Sequence, residues 1–204
     1  MTLAIVCGLG PSIEGFSRPP GVTIWGVNDV ARHVAPDHLV LLDGPDRFHR
    51  HARRPDALEV ILQTRPRYVW VSRKKYNPEV HGVWWQGKSP STPAMWGRCW
   101  PDAEMMLCDV AAVGQRAPLR FDSVTVPIFH ISPFAAAYLA VRFTHHRVGL
   151  LGVDMVGHPD EPLAGDISLQ FGRLALAALA TYGTDLVNLS PISKITSLPR
   201  MTLR

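Results

Sequence analysis

The chain holds little cysteine. Cys7, Cys99 and Cys108 are the only three in 204 residues, odd in number and irregularly spaced. This argues against a disulfide framework or a four-ligand zinc site and for a reducing, cytoplasmic setting. No apolar run approaches the ~20 residues of a transmembrane helix. No basic leader precedes the first apolar stretch, so no signal peptide is expected. Charge is also scarce, with a net +4. That suits an anionic ligand and is too mild by itself to demand a nucleic-acid partner. Two glycine-loop signatures are incomplete. The dinucleotide fingerprint needs a glycine where Ile13 stands, and the phosphate-binding P-loop needs a Gly-Lys-Ser/Thr ending that is missing. Routine hydride transfer and routine P-loop hydrolysis are both demoted. No internal repeat or low-complexity tract is found.

What is present is an ordinary globular composition, 47% hydrophobic and 19% charged, long enough for one domain over residues 1–204. Apolar, β-branched runs predict strands near Leu3–Cys7, Val22–Val27, His38–Leu42, Arg67–Val71, Val124–Phe129, Val148–Val153 and Asp185–Leu189. Several are continuously apolar rather than alternating, as in parallel strands covered on both faces. Helical spacing is expected over Asp46–Gln63 (interrupted at Pro55), Pro133–His145 and Ile167–Tyr182, the last stopped by Gly183. The alternation predicts an α/β, Rossmann-like fold: a mainly parallel sheet with helices on both faces. Residues 74–120 break the rhythm with five prolines and the tryptophans Trp84, Trp85, Trp96 and Trp100. They read as an irregular insertion with a short helix near Ala103–Val113. The tryptophans make a satellite core or an aromatic platform for a ring.

The chemistry gathers at predicted strand ends. Gly8-Leu9-Gly10-Pro11-Ser12 follows the first strand, where glycines admit close approach and Pro11 starts a helical turn whose free N–H groups would face an anion. Asn28-Asp29 ends the second strand and offers hydrogen bonds to a base or sugar, or a helix cap. Asp43 ends the third. Asp154 ends a later strand, after Gly152. Such acids bind hydroxyls, hold Mg²⁺ near phosphates, or act as a base. His158, in Gly157-His158-Pro159-Asp160, is a candidate acid or base or a plain surface turn. Ser132-Pro133 reads as an N-cap opening a helix on the same sheet edge. The basic run Arg47–Arg54 reads foremost as a solvated helix face, and otherwise as a phosphate-binding patch.

The order Gly8-Leu9-Gly10-Pro11-Ser12, Asn28, a Ser132-led alanine-rich helix and Leu151-Gly152-Val153-Asp154 resembles the bacterial sialyltransferases of Rossmann-like fold that use CMP-sialic acid. It is similar also to the 6-hydroxymethylpterin diphosphokinase-like family. The likeness runs in scattered blocks from Leu3 to about Asp154. It implies that Gly8, Gly10, Ser12, Asn28 and Ser132 contact a nucleotide. In the diphosphokinase-like pattern, Asp43 and Asp154 would handle Mg²⁺ and ATP. The chain departs from the sialyltransferases after Asp154, where those enzymes carry a lid with tyrosines that hold phosphate and a histidine base. Here no tyrosine lies between Asp154 and Ile167, and no histidine follows His158.

The expectation is therefore a nucleotide-dependent transferase, glycosyltransferase-like, with a nucleotide-activated donor. Its nucleotide site is drawn from Gly8, Gly10, Pro11, Ser12, Asn28, Asp29, Ser132 and Gly152. Asp154, His158 and Asp43 are its catalytic candidates. The expected cofactor is a nucleotide or nucleotide-sugar, with Mg²⁺ as a companion ion. The alternatives are phosphotransfer from ATP to a heterocycle, and a non-catalytic protein binding nucleic acid or a protein partner.

Overall fold

The computed structural model describes residues 2–43, 48, 53–72, 100, 102–112, 119, 121, 125–128, 131–143 and 146–203. Among these, eight strands form one parallel sheet: β1 Leu3–Cys7, β2 Thr23–Val27, β3 His38–Leu41, β4 Tyr68–Ser72, β5 Glu104–Ala112, β6 Thr125–Ile128, β7 Arg147–Leu151 and β8 Asp185–Asn188. Their order is β6-β5-β4-β3-β2-β1-β7-β8, and every neighbouring pair is parallel. The α/β fold read from the apolar runs is the one that forms.

The strand ends shift by a residue or two from the expected ones, and one element changes type. Glu104–Ala112 is a strand, not the short helix expected near Ala103–Val113. Its apolar run is compatible with either period. Pairing decides it: Tyr68–Ser72 lies beside Glu104–Cys108, and Thr125–Ile128 beside Asp109–Ala112. Most of the tryptophan-rich insertion, including residues 74–99, lies outside the described residues, as do positions 46–47 and 49–52 of the expected helix Asp46–Gln63. Past Pro55 that helix appears as α1, Ala57–Gln63. Trp100 is buried against this side of the sheet, its indole N–H donating to the Thr64 carbonyl at 2.6 Å.

Two longer helices cover the opposite face. In α2, Ser132–Arg142, every residue from Phe134 to Val141 is buried. Its alanines let it lie close to the strands while Tyr138 and Leu139 fill the space on either side. In α3, Ala164–Tyr182, the buried Ile167, Phe171, Leu174 and Ala178 recur at helical spacing. Gly183, at φ 67°, ends it in the left-handed conformation. Phe134 and Phe171 meet edge to face with centroids 5.3 Å apart, joining the helices. The stretch Glu161–Tyr182 is long and apolar enough to cross a membrane by length and composition alone, yet in this fold it presents a packing face to the sheet. On the other face, α1 covers β3 and β4. Among the described residues, single 3₁₀ turns and the C-terminal segment lie over β1 and β2, through Ile13, Val30, Met201 and Leu203.

The winding places the site. From β1 to β6 the strands step outward in one direction, and β7 then returns to the far side of β1. That switch point lies at the carboxyl edge, the usual ligand position in such sheets, and a cavity opens beside it. Cys7 pairs with both Gly26 and Leu151 in register, so Gly8, Val27 and Gly152 stand at one level and Asn28 follows one residue beyond.

Candidate functional site

The glycine turn after β1 and the loop after β7 are fastened to each other. Gly8 N–H donates to the Leu151 carbonyl at 2.8 Å, and Gly10 N–H to the Gly152 carbonyl at 2.7 Å. The Ser12 N–H and hydroxyl donate to the two Asp154 carboxylate oxygens at 2.7 and 2.8 Å. The same hydroxyl accepts from Gly152 N–H at 2.9 Å. Asp154 is buried, so this doubly bonded carboxylate is a clasp between loops. The glycines serve that approach. A Cβ on Gly8 would stand 2.4 Å from the Gly152 oxygen, and one on Gly10 would stand 2.6 Å from the Asp154 Oδ2. Gly152, at φ 66°, takes a conformation that favours glycine.

This corrects the expectation of free N–H donors at Gly8–Ser12. Those of Gly8, Gly10 and Ser12 are engaged, Pro11 has none, and Ile13 N–H returns to the Gly10 carbonyl at 3.2 Å, which leaves the Leu9 N–H alone in the turn without an acceptor among the described residues. Asp154, expected as a base, has both oxygens held by Ser12. Cys7, the last residue of β1, is buried and its thiol is pushed up to about 12 by desolvation, which keeps it protonated.

In front of the clasp lies a cavity of about 450 Å³. It brings together Gly10, Pro11, Asn28, Asp43, Gly152, Asp154 and His158 from the expected set. Gly8, Ser12, Asp29 and Ser132 do not line it. Ser132 is the first residue of α2, and the cap position belongs to Ile131, with no side chain capping the helix. The extended conformation of Ile131 takes the place that was expected of Ser132, so it is Ile131 and Pro133 that reach the cavity wall.

Asn28 is the one polar side chain of the lining whose oxygen is left over among the described residues. Its backbone is left-handed at φ 53°, a conformation asparagine tolerates better than most, with its N–H on the Val40 carbonyl at 3.3 Å. Its Oδ1 is buried and accepts no hydrogen bond.

Asp29, expected to touch a ligand, instead lies fully buried behind the wall and anchors two arginines. It accepts from Arg32 Nε at 2.9 Å and from an Arg54 guanidinium nitrogen at 2.5 Å. Arg32 also forks onto Asp56 at 3.1 Å through both terminal nitrogens. This fork holds the guanidinium pKa above its ordinary value and the Asp56 carboxyl below its own. Arg32, Arg53 and Arg54 line the cavity with His33. Reading the basic run as a solvated face missed this. The signal was Asp29, a buried acid that needs cationic partners. The nucleic-acid reading gains nothing, since Arg54 is turned inward.

His158 sits on the loop after Asp154. Its Nδ1 accepts from Asp160 N–H at 3.0 Å, so the neutral ring carries its proton on Nε2. The loop is latched to the C-terminal segment. Ser193 donates to the Val153 carbonyl at 2.8 Å, and Lys194 N–H donates to the Asp154 carbonyl at 2.9 Å. The Lys194 ammonium pairs with Glu161, which accepts from Gly157 N–H at 2.6 Å. Among the described residues no three His, Cys, Asp or Glu side chains stand close enough to hold a metal ion.

Comparison with solved structures finds the same fold in sialyltransferases. CstII from Campylobacter jejuni, in complex with the substrate analogue CMP-3FNeuAc, superposes with a TM-score of 0.51 at 12% identity, over 100% of this chain and 86% of that one. Sialyltransferase CST-II with a trisaccharide acceptor and CMP gives 0.53 at 12%, over 99% and 86%. An apo α-2,3-sialyltransferase from Campylobacter jejuni gives 0.51 at 11%, over 100% and 80%. At such identities the likeness speaks to the fold. No family model and no curated protein matches the chain. The diphosphokinase side of the resemblance gains no support from these structures.

Two outcomes follow. Ser12→Ala removes a donor to a buried carboxylate and the acceptor of Gly152 N–H; urea denaturation is expected to show a loss of about 2 kcal/mol. For Glu161, the Lys194 ammonium first and Gly157 N–H second hold the carboxyl below its ordinary range. Its folded pKa is thus below the unfolded one. The latch is intact above the unfolded value of ~4.3 and is lost as pH falls through the depressed folded value. An NMR titration should show the Glu161 pKa rising toward ordinary in Lys194→Met, with faster exchange of the Gly157 amide.

Proposed function

We propose that this chain binds a nucleotide-activated sugar in the cavity bounded by the loops after β1, β2, β3 and β7 and transfers its glycosyl group. The observation that carries this reading is Asn28. A buried, unsatisfied acceptor costs about 1–3 kcal/mol, and a left-handed residue adds strain that persists where function uses it. A ligand N–H or O–H at Asn28 Oδ1 relieves the first cost. A base amine and a sugar hydroxyl both supply such a donor. The volume of about 450 Å³ falls within the range of small-molecule sites. The neighbours in fold with CMP or a CMP-sugar analogue make cytidine nucleotides the first ligands to try.

In the transfer, the bond from the anomeric carbon to the phosphate oxygen breaks, and the electron pair leaves with the nucleotide. The acceptor oxygen forms the new bond and gives up its proton. Asp43, at the end of β3 and on the cavity wall, is the base we assign, because Asp154 is closed by Ser12. His158 presents its Nε2 proton to an oxygen of the donor or acceptor. Gly10, Pro11 and Gly152 form a floor that the ligand approaches closely.

Isothermal titration with CMP, UDP, ADP and GDP tests the binding. At least one binds wild type, CMP first among them, and Asn28→Ala weakens it about tenfold or more, equivalent to ~1.4 kcal/mol. No binding by any of the four sinks the reading. Asp43→Asn should slow CMP release from CMP-sialic acid about 100-fold, the lower range for loss of a general base, with CMP affinity nearly unchanged.

A further inference from the structure

We propose that the anionic group of the ligand is held by Arg53 and Arg54, across the cavity from the glycine turn, in a phosphate subsite built on the buried carboxylate of Asp29. This deepens the nucleotide reading above and rests on it for the identity of the whole ligand.

Three observations converge. First, the glycine turn is a poor anion cradle: the N–H groups of Gly8, Gly10 and Ser12 already bond within the protein and Pro11 has none, which leaves Leu9 as its single N–H without a protein acceptor among the described residues. A phosphate placed there would face the carbonyl-rich and carboxylate side of the clasp. Second, the same cavity is lined by Arg32, Arg53 and Arg54. Two of these are positioned from behind by Asp29, which is wholly buried. A guanidinium held in place loses less freedom when it meets an anion, so its forked N–H groups are pre-organised for phosphate oxygens. Third, the three differ in their partners and exposure. Arg32 is committed to Asp29 and Asp56. Arg54 gives one terminal nitrogen to Asp29 and stays partly exposed, at 29%. Arg53 is exposed and makes no hydrogen bond or ion pair with the described residues, yet lines the cavity. Its charge has no acidic partner among the described residues, and Arg54 beside it supplies a second guanidinium.

The arrangement also orients the ligand. Asn28, at the end of β2, precedes Asp29 in sequence, so the acceptor for a ligand N–H or O–H lies beside the arginine wall. Asp43 and the Asp154 loop form the acidic remainder of the lining. A molecule with one anionic end and a hydroxyl-rich body matches this polarity.

Inorganic pyrophosphate is the probe, because it carries the proposed group and no base or sugar. Its affinity is measured by calorimetry for wild type, Arg53→Ala and Arg53→Lys, with melting temperature as a check on folding. Wild type binds, Arg53→Ala loses about tenfold or more, and Arg53→Lys recovers part of the loss, as a point charge lacking the fork. CMP and cytidine then separate the two readings. Arg53→Ala weakens CMP and leaves cytidine unchanged. Pyrophosphate affinity equal in wild type and Arg53→Ala, absence of pyrophosphate binding by wild type, or equal losses for CMP and cytidine overturns the subsite. If pyrophosphate binds through Arg53 while no nucleotide binds, the subsite stands and the nucleotide reading fails. If a nucleotide binds and Arg53→Ala leaves it untouched, the reverse holds.

Discussion

The bond pair between Ser12 and the Asp154 carboxylate is the constraint on which the rest of the carboxyl edge depends. In a sheet that winds outward from β1 and returns beside it, the β1 and β7 loops would otherwise splay apart. Here one buried carboxylate accepts both the N–H and the hydroxyl of Ser12, and the hydroxyl passes the connection on to Gly152. Glycine at positions 8, 10 and 152 is the steric condition for this contact, since a Cβ at any of them would meet backbone or carboxylate atoms at 2.4–2.6 Å. The clasp thus forms the back wall of the cavity and holds the start of the His158 loop.

From this follows a division of labour around the cavity. The side that a glycine-rich motif marks as an anion cradle is a closed structural joint. Positive charge comes from the opposite side, on residues after β2 and before α1, kept in place by Asp29. Burying an unpaired carboxylate is costly, and pairing it with two guanidiniums that remain partly in the cavity turns that cost into a fixed cationic surface. Asn28, next to Asp29, keeps a buried oxygen without a partner among the described residues, so the two residues that follow β2 differ: one lines the cavity and one holds the wall behind it.

Much of the frame was legible in the chain. Seven apolar runs became strands because continuous β-branched segments have few other ways to bury both faces. α3 followed from its spacing and from Gly183. Glu104–Ala112 was misread because an apolar run of nine residues fits either period, and its neighbours β4 and β6 settled the matter. At the site, Asn28, Asp43, Gly10, Gly152 and His158 do meet at one cavity, as strand-end positions in a parallel sheet must. Ser132 and Asp29 fell short for local reasons: the cap position went to Ile131, and Asp29 turned inward to its arginines. Arg53 and Arg54 lie in a run that reads foremost as a solvated face and only second as a phosphate patch, because a basic run looks the same in sequence whether it faces water or a cavity.

The sequence by itself determined the class of the fold and the edge where chemistry gathers, because apolar periodicity and glycine placement act through neighbours a few residues away. Only the tertiary structure decided what the glycine turn is for. Ser12 and Asp154 stand 142 residues apart, and nothing local to either shows that the hydrogen-bond donors of one are already met by the carboxylate of the other.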